Sequence, residues 1–130
     1  SMWASSSPET MKAQLAYLKQ EFEKASRDEE LPEADRAAAK ARLGELAMQE
    51  RLLDDFETLE KEFSAKTDNG REVSPEAVTT YRPQYEKFKD EPKLSELQKR
   101  IATIRLAQLD LGAQIADLKT KLKELGEASV

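Results

Sequence analysis

The stretch Leu94–Leu125, LSELQKRIATIRLAQLDLGAQIADLKTKLKEL, decides the fold of this 130-residue chain. Its apolar residues recur at alternating intervals of three and four, which is the spacing along one face of a coiled-coil helix. Nine of the ten positions on this face are Leu or Ile, so the pattern predicts a long helix with an apolar face over five heptads. We call these ten residues the heptad seam: Leu94, Leu97, Ile101, Ile104, Gln108, Leu111, Ile115, Leu118, Leu122 and Leu125.

Two further features of this helix bear on its neighbours. Gln108 is the one polar position in the seam, and two interpretations stay open: an amide tolerated at the wet edge of a bundle, or a device that fixes register or oligomer number. The helix also has a second, weaker apolar face. Because a helix with two apolar faces usually touches more than one neighbour, we expect a bundle or an oligomer rather than a simple pair. The second face comprises Ala102, Leu106, Leu109, Ala113 and Ala116.

Start and stop signals divide the chain into four predicted helices. Ser7-Pro8 and Ser74-Pro75 each place a capping residue before a proline at the first helical position. Thr67-Asp68-Asn69-Gly70 is a strong turn, and Pro83 predicts a kink or a split in the third helix. The predicted helices cover about 8–28, 32–66, 75–90 and 93–126, in one helical domain over 7–126 between tails at 1–6 and 127–130.

The apolar stripes of the first two helices predict which side of each is buried. The first stripe has heptad spacing, and the second changes phase between Met48 and Leu52, which predicts a stutter in the supercoil. The first stripe is Met11, Leu15, Leu18, Phe22 and Ala25; the second is Ala39, Leu43 and Leu46, followed by Leu52, Phe56, Leu59 and Phe63.

The predicted fold class is all-α, and two arrangements stay open. In the favoured one the chain is an elongated, coiled-coil-type antiparallel hairpin, with one kinked arm over 8–66 and the other over 74–126. The alternative is a compact four-helix bundle. In the hairpin we expect the acidic second helix to lie beside basic residues of the fourth. The acidic residues are Asp54, Asp55, Glu57, Glu60 and Glu62, and the basic ones are Lys99, Arg100 and Arg105.

Composition restricts both the compartment and the chemistry. The chain has no Cys, no recognisable signal peptide and no apolar run near the ~20 residues that span a bilayer, so we expect an intracellular protein of the cytoplasm or nucleus. Ser1-Met2 resembles a residue pair left by a vector and a protease. His is absent as well, which removes the commonest general base and the usual zinc ligands. We therefore predict no enzyme activity, no catalytic residue, no cofactor, no metal and no small-molecule substrate.

Charge and the seam together indicate the class of partner. The net charge is −5, with a balance of −7 over residues 1–92 and +2 over residues 93–130. This acidity disfavours nucleic acid, which requires a basic surface. We expect a protein–protein interaction module, a scaffold, oligomerisation or adaptor domain whose seam binds a partner helix or a second copy. The alternative is a membrane-peripheral domain that binds anionic lipid through Lys119, Lys121 and Lys123. Heptads are shared by unrelated proteins, so the pattern names no family.

Overall fold

The computed structural model describes residues 7–128, and over this range the chain is all-α, as predicted, with no strand. Every predicted helix boundary lies within three residues of the observed one. The predicted tail over 1–6, together with the expected vector residues, lies outside the described range. Glu127 and Ala128 are helical, so the predicted C-terminal tail, which starts at residue 127, starts too early. The helices are α1 (Pro8–Arg27), α2 (Glu33–Thr67), α3 (Pro75–Lys89) and α4 (Glu96–Ala128).

Side-chain caps determine where three of the helices begin. The Ser7 and Ser74 hydroxyls accept hydrogen bonds from the backbone N–H groups of Thr10 and Ala77, which confirms both predicted caps. Ser95 forms a capping box: its hydroxyl accepts from the Gln98 N–H, and the Gln98 amide oxygen accepts from the Ser95 N–H, each at 3.1 Å. Because of this box α4 begins at Glu96, so the predicted start at residue 93 is wrong.

The described residues divide into two compact units, 7–56 and 57–128. In the first unit α1 packs on α2. Lys12 forms an ion pair with Asp54 at 3.2 Å, and Lys19 forms one with Glu50 at 2.8 Å. The α2 partner number falls as the α1 number rises, so the two helices are antiparallel. The expectation that they follow one another in a single arm is therefore wrong.

Burial along the first part of α2 shows that its apolar stripe keeps one phase. Ala39, Leu46 and Leu53 are buried at intervals of seven residues, whereas Leu52 is only half-buried. A seven-residue interval brings a helix face back to the same side, so no change of phase is needed. The predicted stutter is wrong, because the stripe continues through Leu53 and not through Leu52.

Aromatic residues form the core of the second unit. The Phe63 ring makes edge-to-face contacts with the rings of Tyr81 at 5.6 Å and Tyr85 at 5.3 Å. α3, which carries both tyrosines, packs against α4. α3 also runs unbroken through the exposed Pro83, so the helix is not split there. Tyr81 and Tyr85 are buried on either side of Pro83, and this shared core holds the two halves of α3 in one helix.

Candidate functional site: the exposed seam of α4

α4 packs inside its own unit with the weaker of its two apolar faces. Ala102 and Leu109 are fully buried, whereas Leu111 is 57% exposed. Residues two positions apart in an α-helix point about 200° away from each other. Ile104 and Leu111 therefore lie nearly opposite Ala102 and Leu109. Most of the heptad seam therefore faces away from the core. Its exposed residues are Leu97, Ile104, Leu111, Ile115, Leu118, Leu122 and Leu125.

Side-chain size explains why the weaker face is the packed one. α3 carries large buried rings, and a helix with small residues can approach them closely. A Cβ added at Gly112 would lie 2.5 Å from the Val73 side chain, so glycine permits the close approach of α4 to the α2–α3 loop. The alanines and the glycine, rather than the leucines of the seam, were the sequence signal for the face that packs within the chain.

Three seam residues do not share this exposure. Leu94 precedes α4 and is buried, and Ile101 and Gln108 are half-buried. The Gln108 amide oxygen accepts from Arg105 Nη1 at 3.0 Å, and its nitrogen donates to the Asn69 carbonyl oxygen at 3.5 Å. These contacts place Gln108 in the packing between α4 and the α2–α3 loop, so its polarity has a use within the chain itself.

The loop that Gln108 contacts is the turn predicted from Asp68-Asn69-Gly70. All three residues have positive φ, and Gly70, at +87°, is the one that most needs glycine. The buried Thr67 hydroxyl donates to the Phe63 carbonyl at 2.6 Å and accepts from the Gly70 N–H at 2.9 Å. The turn thus ends α2 with its polar groups satisfied and holds a fixed surface against α4.

Arg105 joins this turn to the aromatic core. Its Nε donates to Glu60 Oε2 at 3.0 Å, its Nη2 donates to Asn69 Oδ1 at 2.9 Å, and its guanidinium lies 4.8 Å from the Phe63 ring centroid. Tyr85 donates to the same Glu60 oxygen at 2.5 Å. Burial, followed by this hydrogen bond to Glu60, raises the pKa of Tyr85 well above its usual value near 10. The cluster anchors α4 in the second unit.

The expected pairing between acidic and basic helices is only partly observed. Glu60 does pair with Arg105, but Asp54 pairs with Lys12 of α1, and Lys99 pairs with Glu96 of its own helix. Sequence reasoning named Arg105 only as one of three basic residues and missed its central role. Its position was a usable signal, because Arg105 lies three residues after Ala102 and four before Leu109, beside the second apolar face.

The C-terminal part of α4 extends the exposed face and adds positive charge. Every residue from 117 to 128 is exposed, including Lys119, Lys121 and Lys123. Where the seam passes Leu111 and Ile115 it borders a groove of about 610 Å³ between α4 and residues 66–74. The charged residues that line this groove are Lys66, Arg71, Lys119 and Glu72.

The described residues add two observations about chemistry. Among residues 7–128 no group of three or more acidic side chains is placed to hold a metal ion. No helix of this range combines the length and the apolar character needed to cross a membrane.

Neither a scan of protein-family models nor searches of curated proteins and of solved structures found a match to this chain.

Proposed function

We propose that this chain is a protein-interaction module that binds a partner helix through the exposed heptad seam of α4. The observation that carries the proposal is that seven Leu and Ile side chains lie exposed along one helix. Monomeric proteins rarely expose an apolar surface this continuous without a partner for it. The module would serve as a scaffold, oligomerisation or adaptor element that brings proteins together, and the proposal assigns it no catalysis.

The energetics favour a helical partner. Burying the exposed half of a Leu or Ile side chain is worth about 1 kcal/mol, so covering the seam supplies a large share of the free energy of a helix–helix complex. The three-and-four spacing lets the side chains of a second helix insert between those of the seam. A helix with the same repeat therefore fits this surface better than a loop or a strand does.

The test is a matched pair of α4 variants. Leu118 is exposed, so Leu118→Asp should leave the free energy of unfolding of the isolated chain unchanged. Binding is measured with a labelled probe helix of four heptads that has a Leu stripe and Gln at its e and g positions. Leu118→Asp should weaken self-association, or binding of this probe, by about tenfold or more. Thr120→Asp makes a similar change on the opposite side of α4 and should alter binding by no more than about twofold.

The measurements are sedimentation equilibrium for self-association and fluorescence anisotropy for the probe helix. The proposal is contradicted if the chain stays monomeric and does not bind the probe helix at any concentration tested. Equal weakening by both Asp variants contradicts it too, because binding would then not depend on the seam.

A second candidate function rests on the exposed lysines near the end of the seam. Lys119, Lys121 and Lys123 accompany Leu118, Leu122 and Leu125, a combination that also suits an anionic lipid surface. Sedimentation with vesicles rich in phosphatidylserine at low salt tests this alternative. Binding there without any binding to the probe helix would favour the lipid surface.

A further inference from the structure

The residues that border the seam carry charge of one sign. In the heptad frame they occupy the e and g positions, where coiled-coil partners place complementary charges. Among the ten such positions of α4, four are basic and none is acidic. The basic ones are Arg100, Arg105, Lys119 and Lys121, and the others are Gln98, Ala107, Gly112, Gln114, Gly126 and Ala128. Arg105 is paired with Glu60 inside the second unit, so Arg100, Lys119 and Lys121 are the charges that a partner would meet.

The acidic residues of α4 lie away from the seam. Glu96, Asp110, Asp117 and Glu124 all occupy c positions, and Glu127 occupies an f position. Both positions are on the side of the helix remote from the a and d residues. Asp117 does reach Lys121 at 3.0 Å, but both side chains are 64% exposed, so this pair neutralises little of the charge beside the seam.

Pairing of two α4 seams brings no opposite charges together in either direction. In a parallel pair a g residue faces the e residue of the next heptad, so Gln114 would lie beside Lys119 of the second copy and Lys121 beside its Gly126. An antiparallel pair centred on Leu111 sets Arg100 beside Lys121 of the second copy. The seam thus offers a second copy apolar contacts but no opposite charge beside them, which disfavours self-association.

We propose that the seam binds an amphipathic helix of another protein whose apolar stripe is bordered by acidic side chains. This inference rests on the proposed function and specifies its partner. The groove beside Leu111 and Ile115 supports it, because Lys66, Arg71 and Lys119 outnumber Glu72 in its lining. An acidic side chain next to the stripe would enter this groove while the stripe itself covers the seam.

The form of the surface favours a helix over a lipid membrane. Membrane-surface helices have a wide apolar face with basic residues spread across the polar face. In α4 the polar face instead carries the acidic c positions, and residues 93–130 have a balance of only +2. A narrow seam bordered by basic residues and backed by acidic ones suits a coiled-coil partner.

The experiment uses the full chain and two four-heptad probe helices that differ only beside their Leu stripe. One probe has Glu at its e and g positions and the other has Lys, so neither probe pairs well with itself. Anisotropy at 50 mM and 500 mM salt should show the Glu probe binding at least about tenfold tighter than the Lys probe at low salt, with the preference reduced at high salt.

Two single variants locate the effect on α4. Lys119→Glu should weaken binding of the Glu probe by about fivefold to tenfold, because it reverses a charge beside the seam. Lys123→Glu makes the same change at a b position, remote from the seam, and should have no more than about a twofold effect. Both lysines are exposed, so neither variant should alter folding.

The possible outcomes separate this inference from the function it specifies. Equal binding of the Glu and Lys probes, together with binding of the Gln probe, overturns the acidic partner and leaves the seam as an interface. No binding of any probe, by a chain that also stays monomeric, overturns both. A dimer of the chain that Leu118→Asp dissociates identifies a second copy as the occupant and overturns the inference. Binding to anionic vesicles that is equally sensitive to Lys119→Glu and Lys123→Glu overturns it in favour of lipid.

Discussion

The two apolar faces of α4 differ in strength and in use. The heptad seam is the stronger pattern, but the core of the second unit is built on the face that carries Ala102 and Leu109. Within the chain, α3 carries large aromatic rings, and it packs against the face of α4 whose small residues allow a close approach. The regularity of an apolar pattern therefore measures how well a face would pair with another helix, and it does not show which helix covers it.

Truncating one leucine on each face gives the largest expected contrast. Leu109→Ala should lower the free energy of unfolding by about 3 kcal/mol, because it removes a fully buried side chain and leaves a cavity. Leu111→Ala, only two residues away, should change it by less than about 0.5 kcal/mol. Urea denaturation followed by circular dichroism, at concentrations where the chain is monomeric, measures both. Similar losses for the two variants would mean that the seam is packed within the chain.

Arg105 provides the next test, since it fixes the packed face against α2. Arg105→Met removes the donor to Glu60 and Asn69 and should cost about 2 kcal/mol, less than a fully buried ion pair because the two side chains are 12% and 20% exposed. Arg100→Met removes an exposed arginine of the same helix and serves as the control. If the two variants unfold at the same urea concentration, the Arg105 cluster does not anchor α4.

The sequence predicted local structure well because local rules determine it. The caps at Ser7 and Ser74 and the turn at Asp68-Asn69-Gly70 depend on neighbouring residues, and the structure confirms them. The late start of α4 follows the same rules, because Ser95 and Gln98 form a capping box that periodicity alone does not reveal.

Tertiary choices were less predictable. That α1 folds back on α2, and that Leu53 rather than Leu52 is buried, depends on which surfaces meet, and spacing leaves this open. The candidate site was likewise only partly predictable. The seam residues could be identified from their repeat, but their exposure depends on how α3 and the α2–α3 loop occupy the other side of α4.

Gln108 lies between the two faces, and its contacts change the stability that we expect for its replacement. Of the two interpretations that the sequence left open, a register device would make Gln108→Ile more stable, and an amide at a wet edge would leave stability nearly unchanged. Its hydrogen bonds with Arg105 and Asn69 now lead us to expect a loss of about 1 kcal/mol, since both partners would lose a bond. Gln114→Ile, on the exposed side of α4, is the control and should stay within about 0.5 kcal/mol. A higher melting temperature for Gln108→Ile would show that the amide contributes nothing to this packing.

A further expected effect concerns alkaline pH, and it tests how well the aromatic rings that pack in the core beside α4 are sheltered from water. The pKa of Tyr85 is raised by burial and then by its hydrogen bond to Glu60, whereas the unfolded chain has a tyrosine pKa near 10. Below about pH 10 the hydroxyl is protonated in both states, so its contribution to stability is complete. Above pH 10 the unfolded chain releases the proton first, so stability falls by up to about 1.4 kcal/mol per pH unit for this group.

Tyr85→Phe should therefore reduce the steepness with which stability declines between about pH 10 and 11. It should also lower stability at neutral pH by about 1 kcal/mol, because the bond to Glu60 is lost. Tyr17→Phe changes an exposed tyrosine of the first unit and is the control, for which we expect the original slope. Urea denaturation at closely spaced pH values gives the slopes. If Tyr85→Phe and Tyr17→Phe decline equally steeply, water reaches the Tyr85 hydroxyl in the folded chain, and the packed face of α4 is more open than its burial indicates.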